Sequence, residues 1–389
     1  MISSSQTKKI TVKSKLPNVG TTIFSVMSAL ANNESAINLS QGFPDFDVSK
    51  PLIDLVGHYM TAGLNQYAPM AGVPKLLASI AQKVSNTYGL QLNEKEEITV
   101  TAGGTQGLFT AIAALVNKGD EVVIFDPSYD SYAPSIVLAG GKPIHLQLKY
   151  PHFNIDWQEF KNAITDKTSM VIINSPHNPT GSTLTEDDLK TLAQIVANTN
   201  IVVLSDEVYE HICFDGQLHQ SVLRFPELAS RSIAIFSFGK TFHATGWKMG
   251  YAVAPDNLMK EFRKVHQFNV FSANTPVQHA LADYISEKDN YQNLPSFYQA
   301  KRDLFLDLMK ASKFKMLPSK GTYFQLADYS AISNENDVVF AKRITAEHKV
   351  ASIPVSVFYD NKNDNKVVRF CFAKNEETLT NATKLLCKI

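Results

Sequence analysis

RSIAIFSFGKTFHATGWKMGYAVAP, residues 231–255, is the stretch that decides the architecture and points to the chemistry. The apolar run from Ile233 to Phe238 has the character of a buried strand, and Gly239 breaks it just before Lys240. A lysine at a strand end stands where α/β sheets hold their ligands, and lysine is seldom buried without a purpose. Lys248, the hydroxyls of Ser237 and Thr241, and nearby glycines complete a set that suits a phosphorylated ligand. A lysine able to lose its proton also suits a Schiff base with a carbonyl compound. Two plainer readings compete. Gly239-Lys240-Thr241 matches the tail of a phosphate-binding P-loop, but that pattern requires glycine where Ala234 stands, and it is rejected. Alternatively both lysines are surface residues beside a core strand, and the rest of the chain has to decide.

Outward from this stretch the same pattern recurs. Val122–Phe125, residues 170–173 in MVIINSPHNPTG and residues 201–204 in IVVLSDEVYEHI are apolar runs, each leading into a polar loop. Such runs alternating with helical segments predict βαβ units and a mostly parallel sheet. Ile98–Thr101 reads as another strand, followed by Gly103-Gly104-Thr105 and a helix to about Val116. A glycine turn opening a helix leaves unpaired backbone N–H groups and the positive end of the helix dipole facing outwards, which suits phosphate. The spacing is not the G-x-G-x-x-G of dinucleotide folds, so hydride chemistry gains no support, and a plain strand-to-helix turn is the alternative. Parallel strands share one C-terminal rim. Gly103, Gly104, Thr105, Tyr129, Asn178, Asp206, Tyr209 and Lys240 all fall on it, a convergence that packing alone does not explain.

The flanks read differently. Residues 1–20 read as a flexible arm before a helix at 22–32; Gly42 and Pro44 then force an irregular loop, and Tyr67 sits in a loop bent by Pro69 and Gly72. Leu76, Leu77, Ile80, Ala81 and Val84 share one face of a helix over 74–88. Beyond about residue 285, a helical stretch (290–312), short strands in GTYFQLAD, ASIPVSVF and KVVRFCFA, and a last helix (376–388) predict a smaller α+β domain. Within it, Arg369 alternates with Val367, Val368, Phe370 and Phe372, so its guanidinium needs an anionic partner, either a structural carboxylate or a bound one. The expected division is an N-terminal arm and first part of the small domain at 1–47, a large domain at 48–284, and the rest of the small domain at 285–389.

Composition excludes several classes. With 37 basic and 37 acidic residues among 389, the chain has no charge excess to attract nucleic acid or a membrane surface. Cys213, Cys371 and Cys387 are far apart, so neither a disulfide framework nor a zinc site is indicated and no metal is expected. The N-terminal residues lack the apolar core of a secretory signal, and no run reaches the length of a membrane span, so the expectation is a cytoplasmic protein.

SFGKTFHATGWKMGY, SPHNPTG, SDEVYEH and YAPMAGVPKL together resemble the class I/II pyridoxal-phosphate-dependent aminotransferases of fold type I, nearly end to end. Within them the chain is most similar to the methionine aminotransferase group, near the kynurenine and glutamine transaminases. The resemblance implies an α/β large domain with a mostly parallel mixed sheet between helices, a smaller α+β domain, and pyridoxal 5'-phosphate as cofactor. It implies that Lys240 bonds the cofactor and carries the substrate proton, that Asp206 pairs with the ring nitrogen, and that Asn178 and Tyr209 bind the ring's 3-oxygen. Tyr129 is implied on one ring face and Val208 on the other. The backbone of Gly103, Gly104 and Thr105, with Ser237 and Lys248, is implied at the phosphate, joined by Tyr67 from the neighbouring subunit of a homodimer with shared sites. Arg369 is implied at the substrate carboxylate with Asn178 and Gly42, and Phe24 and the partner's Phe271 at the side-chain pocket.

Two departures bear on the substrate. Kynurenine-type enzymes commonly place a histidine after the residue matching Phe271, and Ser272 stands here. No second arginine for a side-chain carboxylate is apparent. The implied reaction moves the amino group of methionine, ahead of aromatic or other neutral amino acids, to a 2-oxo acid. A kynurenine or glutamine transaminase and a β-lyase acting on cysteine S-conjugates are the alternatives. A cofactor-sensing regulator fused to a DNA-binding module is a third, against which stand the short segment before the first helix and the balanced charge.

Overall fold

The computed structural model describes residues 10–389. Of the expected N-terminal arm, residues 1–9 lie outside the described residues, and 10–20 form neither helix nor strand. A seven-stranded sheet organises the chain, in the order Ile98–Thr101, Gly250–Val253, Ser232–Ser237, Val202–Asp206, Thr168–Asn174, Glu121–Asp126, Lys142–Gln147. Only Gly250–Val253 runs against its neighbours. The others are parallel, as crossover helices require.

Successive residues of each strand feed opposite faces, and both faces are covered. Along Thr168–Asn174, Val171 and Ile173 enter one apolar core while Met170 and Ile172 enter the other. This is why the strands read as continuous apolar runs rather than alternating ones. The helix Gly104–Leu115 buries Leu108, Ala111 and Ile112 on one face. On the other, the helix Pro74–Tyr88 buries Leu76, Leu77, Ile80 and Val84; Pro74 opens it and Gly89, left-handed at φ 78°, ends it. It also carries Lys83, whose ammonium pairs with Glu210 at 2.7 Å, both side chains only 2% exposed. The hydroxyls of Tyr88 and Tyr251 complete this buried cluster.

Outside that sheet, Ile353–Pro354, Val367–Cys371, Phe324–Asp328 and Lys315–Met316 form a four-stranded antiparallel sheet. Ile37–Asn38 pairs in parallel with Val350–Ala351, tying the N-terminal segment to the C-terminal elements. Two local readings are refined and one strand is new. The expected 290–312 helix is broken into Asp289–Gln292, Leu294–Leu308 and a 3-10 turn at Met309–Ala311. ASIPVSVF holds two-residue strands and then a 3-10 turn at Ser356–Phe358, because Ser356 turns in to cap the buried Asp337 carboxylate at 2.6 Å. Lys142–Gln147, which shows little of the apolar signature, is an edge strand of the main sheet. No helix of the described residues is long and apolar enough to cross a membrane.

Candidate active site

The C-terminal ends of the parallel strands open into a cleft of about 170 Å³. Gly103, Gly104, Thr105, Tyr129, Asn178, Asp206, Val208, Tyr209, Ser237, Lys240 and Lys248 all line it. Lys240 does not follow its strand directly. The strand ends at Ser237, whose hydroxyl caps a one-turn helix, Phe238–Thr241, and that turn delivers the lysine to the cleft. Its Nζ donates to the Tyr323 hydroxyl at 2.9 Å and to the Gly42 carbonyl at 3.2 Å. Burial, helped by the cationic Arg369 and Lys248, lowers the ammonium pKa to about 8. An amine that gives up its proton this much more easily than an ordinary lysine suits nucleophilic attack and proton transfer.

At one end of the cleft the helix Gly104–Leu115 presents its N-terminus. No side chain caps it, and Gly103 at φ 84° turns the chain into it. A Cβ at Gly103 would lie 3.6 Å from Lys248, and one at Gly104 would meet Val208 at 2.8 Å, so glycine keeps this cradle open. Free N–H groups, the helix dipole, Ser237 and Lys248 make a site for a phosphate dianion. Asp206 lies buried at the end of its strand. Burial raises its carboxyl to about pKa 6, against the hydrogen bonds from Tyr132 and the Val208 N–H. A carboxylate desolvated in this way gains strongly from a cationic partner such as a protonated ring nitrogen. Phosphate cradle, carboxylate and readily deprotonated amine therefore fit a phosphorylated aromatic aldehyde with a basic ring nitrogen.

Arg369 is 1% exposed on the strand Val367–Cys371. Among the described residues no carboxylate forms an ion pair with it, and Asp130 acts on it only as a more distant charge. Nη1 donates to Asn178 Oδ1 at 2.7 Å and Nη2 to the Ser40 carbonyl at 3.2 Å, while Nε has no partner. Burial pulls its pKa down to about 10. Rings wall it in: Phe324 at 3.8 Å, Phe24 at 5.4 Å and Phe358 at 5.7 Å. Because Asn178 Oδ1 is taken by the arginine, its amide NH2 is left to donate into the cleft.

Tyr67 and Phe271 are not brought to this cleft. They meet edge to face at 5.3 Å, 83% and 48% exposed, beside a separate surface depression. Gly42, expected near the carboxylate, offers its carbonyl to Lys240, and its Cα lies so close to Phe324 that a Cβ would approach the ring at 2.7 Å. Two functional contacts escaped sequence reasoning. Tyr132 Oη donates to Asp206 Oδ2 at 2.6 Å; its position one turn after Tyr129, at the start of a helix, was the only signal. Tyr323 carried none, since nothing local relates it to Lys240.

A doubly covered mixed sheet with a lysine, a carboxylate and a phosphate cradle on one rim, plus an antiparallel second sheet carrying the arginine, defines a fold type I aminotransferase. Residues 34–386 match the family described as aminotransferase class I and II, and the chain belongs to it and is an aminotransferase. It is 52% identical over 375 residues to the methionine aminotransferase of Escherichia coli, covering 96% of this chain and 97% of that protein. The crystal structure of that methionine aminotransferase superposes with a TM-score of 0.96, covering 98% of this chain and all (100%) of that one. N-succinyldiaminopimelate aminotransferase of Mycobacterium tuberculosis follows with 35% identity and a TM-score of 0.94, covering 97% and 100% of the two chains. Kynurenine–oxoglutarate transaminase of Dictyostelium discoideum is 34% identical over 410 residues, covering 95% of this chain and 94% of that protein. Enzymes of this family act on amino acids and oxo acids and depend in general on pyridoxal phosphate.

Proposed function

We propose that this chain binds pyridoxal 5'-phosphate in the cleft and moves the amino group of methionine, or of another neutral apolar or aromatic amino acid, to a 2-oxo acid in two half-reactions. The observation that carries the reading is Arg369: a buried guanidinium with a free Nε, no ion pair among the described residues, and a wall of phenyl rings, in contact with the lysine-bearing cleft through Asn178. That combination suits an α-carboxylate attached to an apolar side chain. Among the described residues, Lys240 and Lys248 are the cations lining the cleft, which gives no support to a dicarboxylic donor.

When bound, the cofactor supplies a carbonyl carbon to receive the amino group and a ring to accept electrons. The chain does the rest. Lys240 would hold the carbonyl group and, as a free amine, would carry the Cα proton. Asp206, backed by Tyr132, would pair with the ring nitrogen. The Asn178 amide and the Tyr209 hydroxyl would hold the ring oxygen, Tyr129 and Val208 would cover the two faces, and Gly103, Gly104, Thr105, Ser237 and Lys248 would hold the phosphate. The exposed Tyr67 and Phe271 support a homodimer in which each site borrows both residues from the partner. The pairing of Ile37–Asn38 with Val350–Ala351 supports grouping residues 1–47 with 285–389 as a small domain against 48–284. Three unpaired cysteines suit a reducing, cytoplasmic setting.

The test is the absorbance of the cofactor-loaded protein as single amino acids are added without an oxo acid. Conversion of the aldehyde form of the cofactor to its amine form, fastest with methionine, is the expected result; faster conversion by kynurenine removes the methionine assignment. Release of ammonia and pyruvate from cysteine S-conjugates would instead identify a β-lyase. Lys240→Ala is expected to abolish turnover while the circular dichroism of the apo protein is unchanged, and an active variant would refute the role given to the lysine.

A further inference from the structure

The contacts of Lys240 are more specific than burial alone requires. Tyr323, at 0% exposure, begins the turn into the strand Phe324–Asp328, and its phenol has one proton to give. That proton goes to the Gly42 carbonyl, 2.6 Å away, an oxygen that can only accept. The phenol oxygen is then an acceptor for Lys240 Nζ at 2.9 Å, and Gly42 O accepts from the same nitrogen at 3.2 Å. A neutral amine has two N–H bonds and one lone pair. Tyr323 and Gly42 stand 2.6 Å apart on one side of the nitrogen, so they draw its N–H bonds to that side and leave the lone pair on the other.

We infer that Tyr323 is a positioning residue: together with the Gly42 carbonyl it holds the free amine of Lys240 with its lone pair turned towards the reacting carbon, and so sets the rate at which the lysine takes the substrate's Cα proton. The inference rests on the reading of Lys240 given above. The proton would pass from Cα to the lone pair of Nζ, leaving its electron pair with the substrate, and would become the third N–H of an ammonium from which Tyr323 and Gly42 continue to accept. Both partners lie outside the 48–284 segment that holds the lysine, and both touch Phe324, the ring on which Arg369 stacks. The amine is thus aimed by the same elements that grip the carboxylate.

Tyr323→Phe tests this, because the ring keeps its packing against Tyr209, Tyr298 and Phe324 at 5.1, 5.7 and 4.9 Å. With methionine and its α-deuterated form, kcat is expected to fall roughly 10- to 100-fold, within the contribution of a placed general base. KM should stay within about threefold, and the deuterium isotope effect on kcat should rise as proton transfer becomes limiting. In the apo protein, the pH midpoint for acylation of Lys240, followed by mass spectrometry, should move down because an acceptor for the ammonium has gone. Incorporating 3-fluorotyrosine at position 323, which weakens the acceptor and keeps the shape, should move both readouts less and in the same direction. Wild-type kcat in Tyr323→Phe overturns the inference, as does a slow variant whose isotope effect and labelling midpoint are both unmoved. Turnover surviving in Lys240→Ala would instead remove the underlying reading.

Discussion

Replacing Arg369 by methionine separates a functional arginine from a structural one. A substrate carboxylate bound side-on would make two charge-assisted hydrogen bonds, each worth about 1.5–3 kcal/mol. Losing both removes about 3–6 kcal/mol, or roughly 10²–10⁴ in kcat/KM at 1.4 kcal/mol per factor of ten. The stability change has a different balance. An arginine in a protein ion pair costs about 3–5 kcal/mol to remove, because its carboxylate is stranded. Among the described residues Arg369 has no such ion-pair partner, and burial already pulls its pKa down to about 10. Relief of that desolvation is expected to offset the lost bonds to Asn178 and the Ser40 carbonyl, leaving apo-protein stability within about 1 kcal/mol of wild type. The assays are urea denaturation of the apo protein and kcat/KM for methionine against 3-methylthiopropylamine, its counterpart without the carboxylate. Wild type should prefer methionine by the full factor and Arg369→Met should hardly discriminate. A fall of several kcal/mol in stability, with kcat/KM for methionine changed less than tenfold, would show that the arginine is structural and that the carboxylate binds elsewhere.

Two further substitutions test the electrostatics around the cleft. Glu210→Gln strands the buried Lys83 ammonium and should cost about 3–5 kcal/mol in urea denaturation. Burial, which alone would raise the Glu210 carboxyl, is outweighed chiefly by Lys83, and its pKa is lowered to about 2. With the folded value below the unfolded one, its contribution is complete above about pH 4.5 and is lost as pH falls towards 2, a leg that Glu210→Gln should flatten. Asp206→Asn acts with the opposite sign. The folded pKa of about 6 lies above the unfolded 3.8, so this residue should make apo stability decline as pH rises between those values, a decline absent from the variant. With cofactor bound, the same change should slow turnover about 10²–10³-fold, the scale of a lost electrostatic stabiliser; an unimpaired variant would exclude Asp206 as the ring-nitrogen partner.

Much of this site was legible because its residues sit in local patterns. The strand Ile98–Thr101, the glycine turn after it and the helix Gly104–Leu115 follow from an apolar run, glycines and a helical continuation, all within one short segment. Lys240, Asp206 and Asn178 were placed by the rule that parallel strands end on one rim, which needs no side-chain detail. Boundaries were less legible where side chains compete for the backbone. Ser356 turning towards Asp337 ends a run of strand-forming residues, and Ser237 capping its own turn moves Lys240 off the strand. Tyr132 and Tyr323 were opaque as functional groups. Their phenols reach Asp206 and Lys240 across 74 and 83 residues of chain, and sequence spacing contains no information about a contact between separate elements.

By itself the sequence determined the alternation of buried strands and helices, the rim on which the polar loops meet, and the residue types available for phosphate, carboxylate and proton chemistry. These depend on hydrophobic period, backbone freedom at glycine and side-chain functional groups, all of which are local. Only the tertiary structure decided that Arg369 has no ion pair among the described residues, that Gly42 and Tyr323 converge on one amine, and that Tyr67 and Phe271 stand together away from the cleft. Those outcomes depend on which groups burial leaves without water and which partners the packing of distant segments supplies in its place.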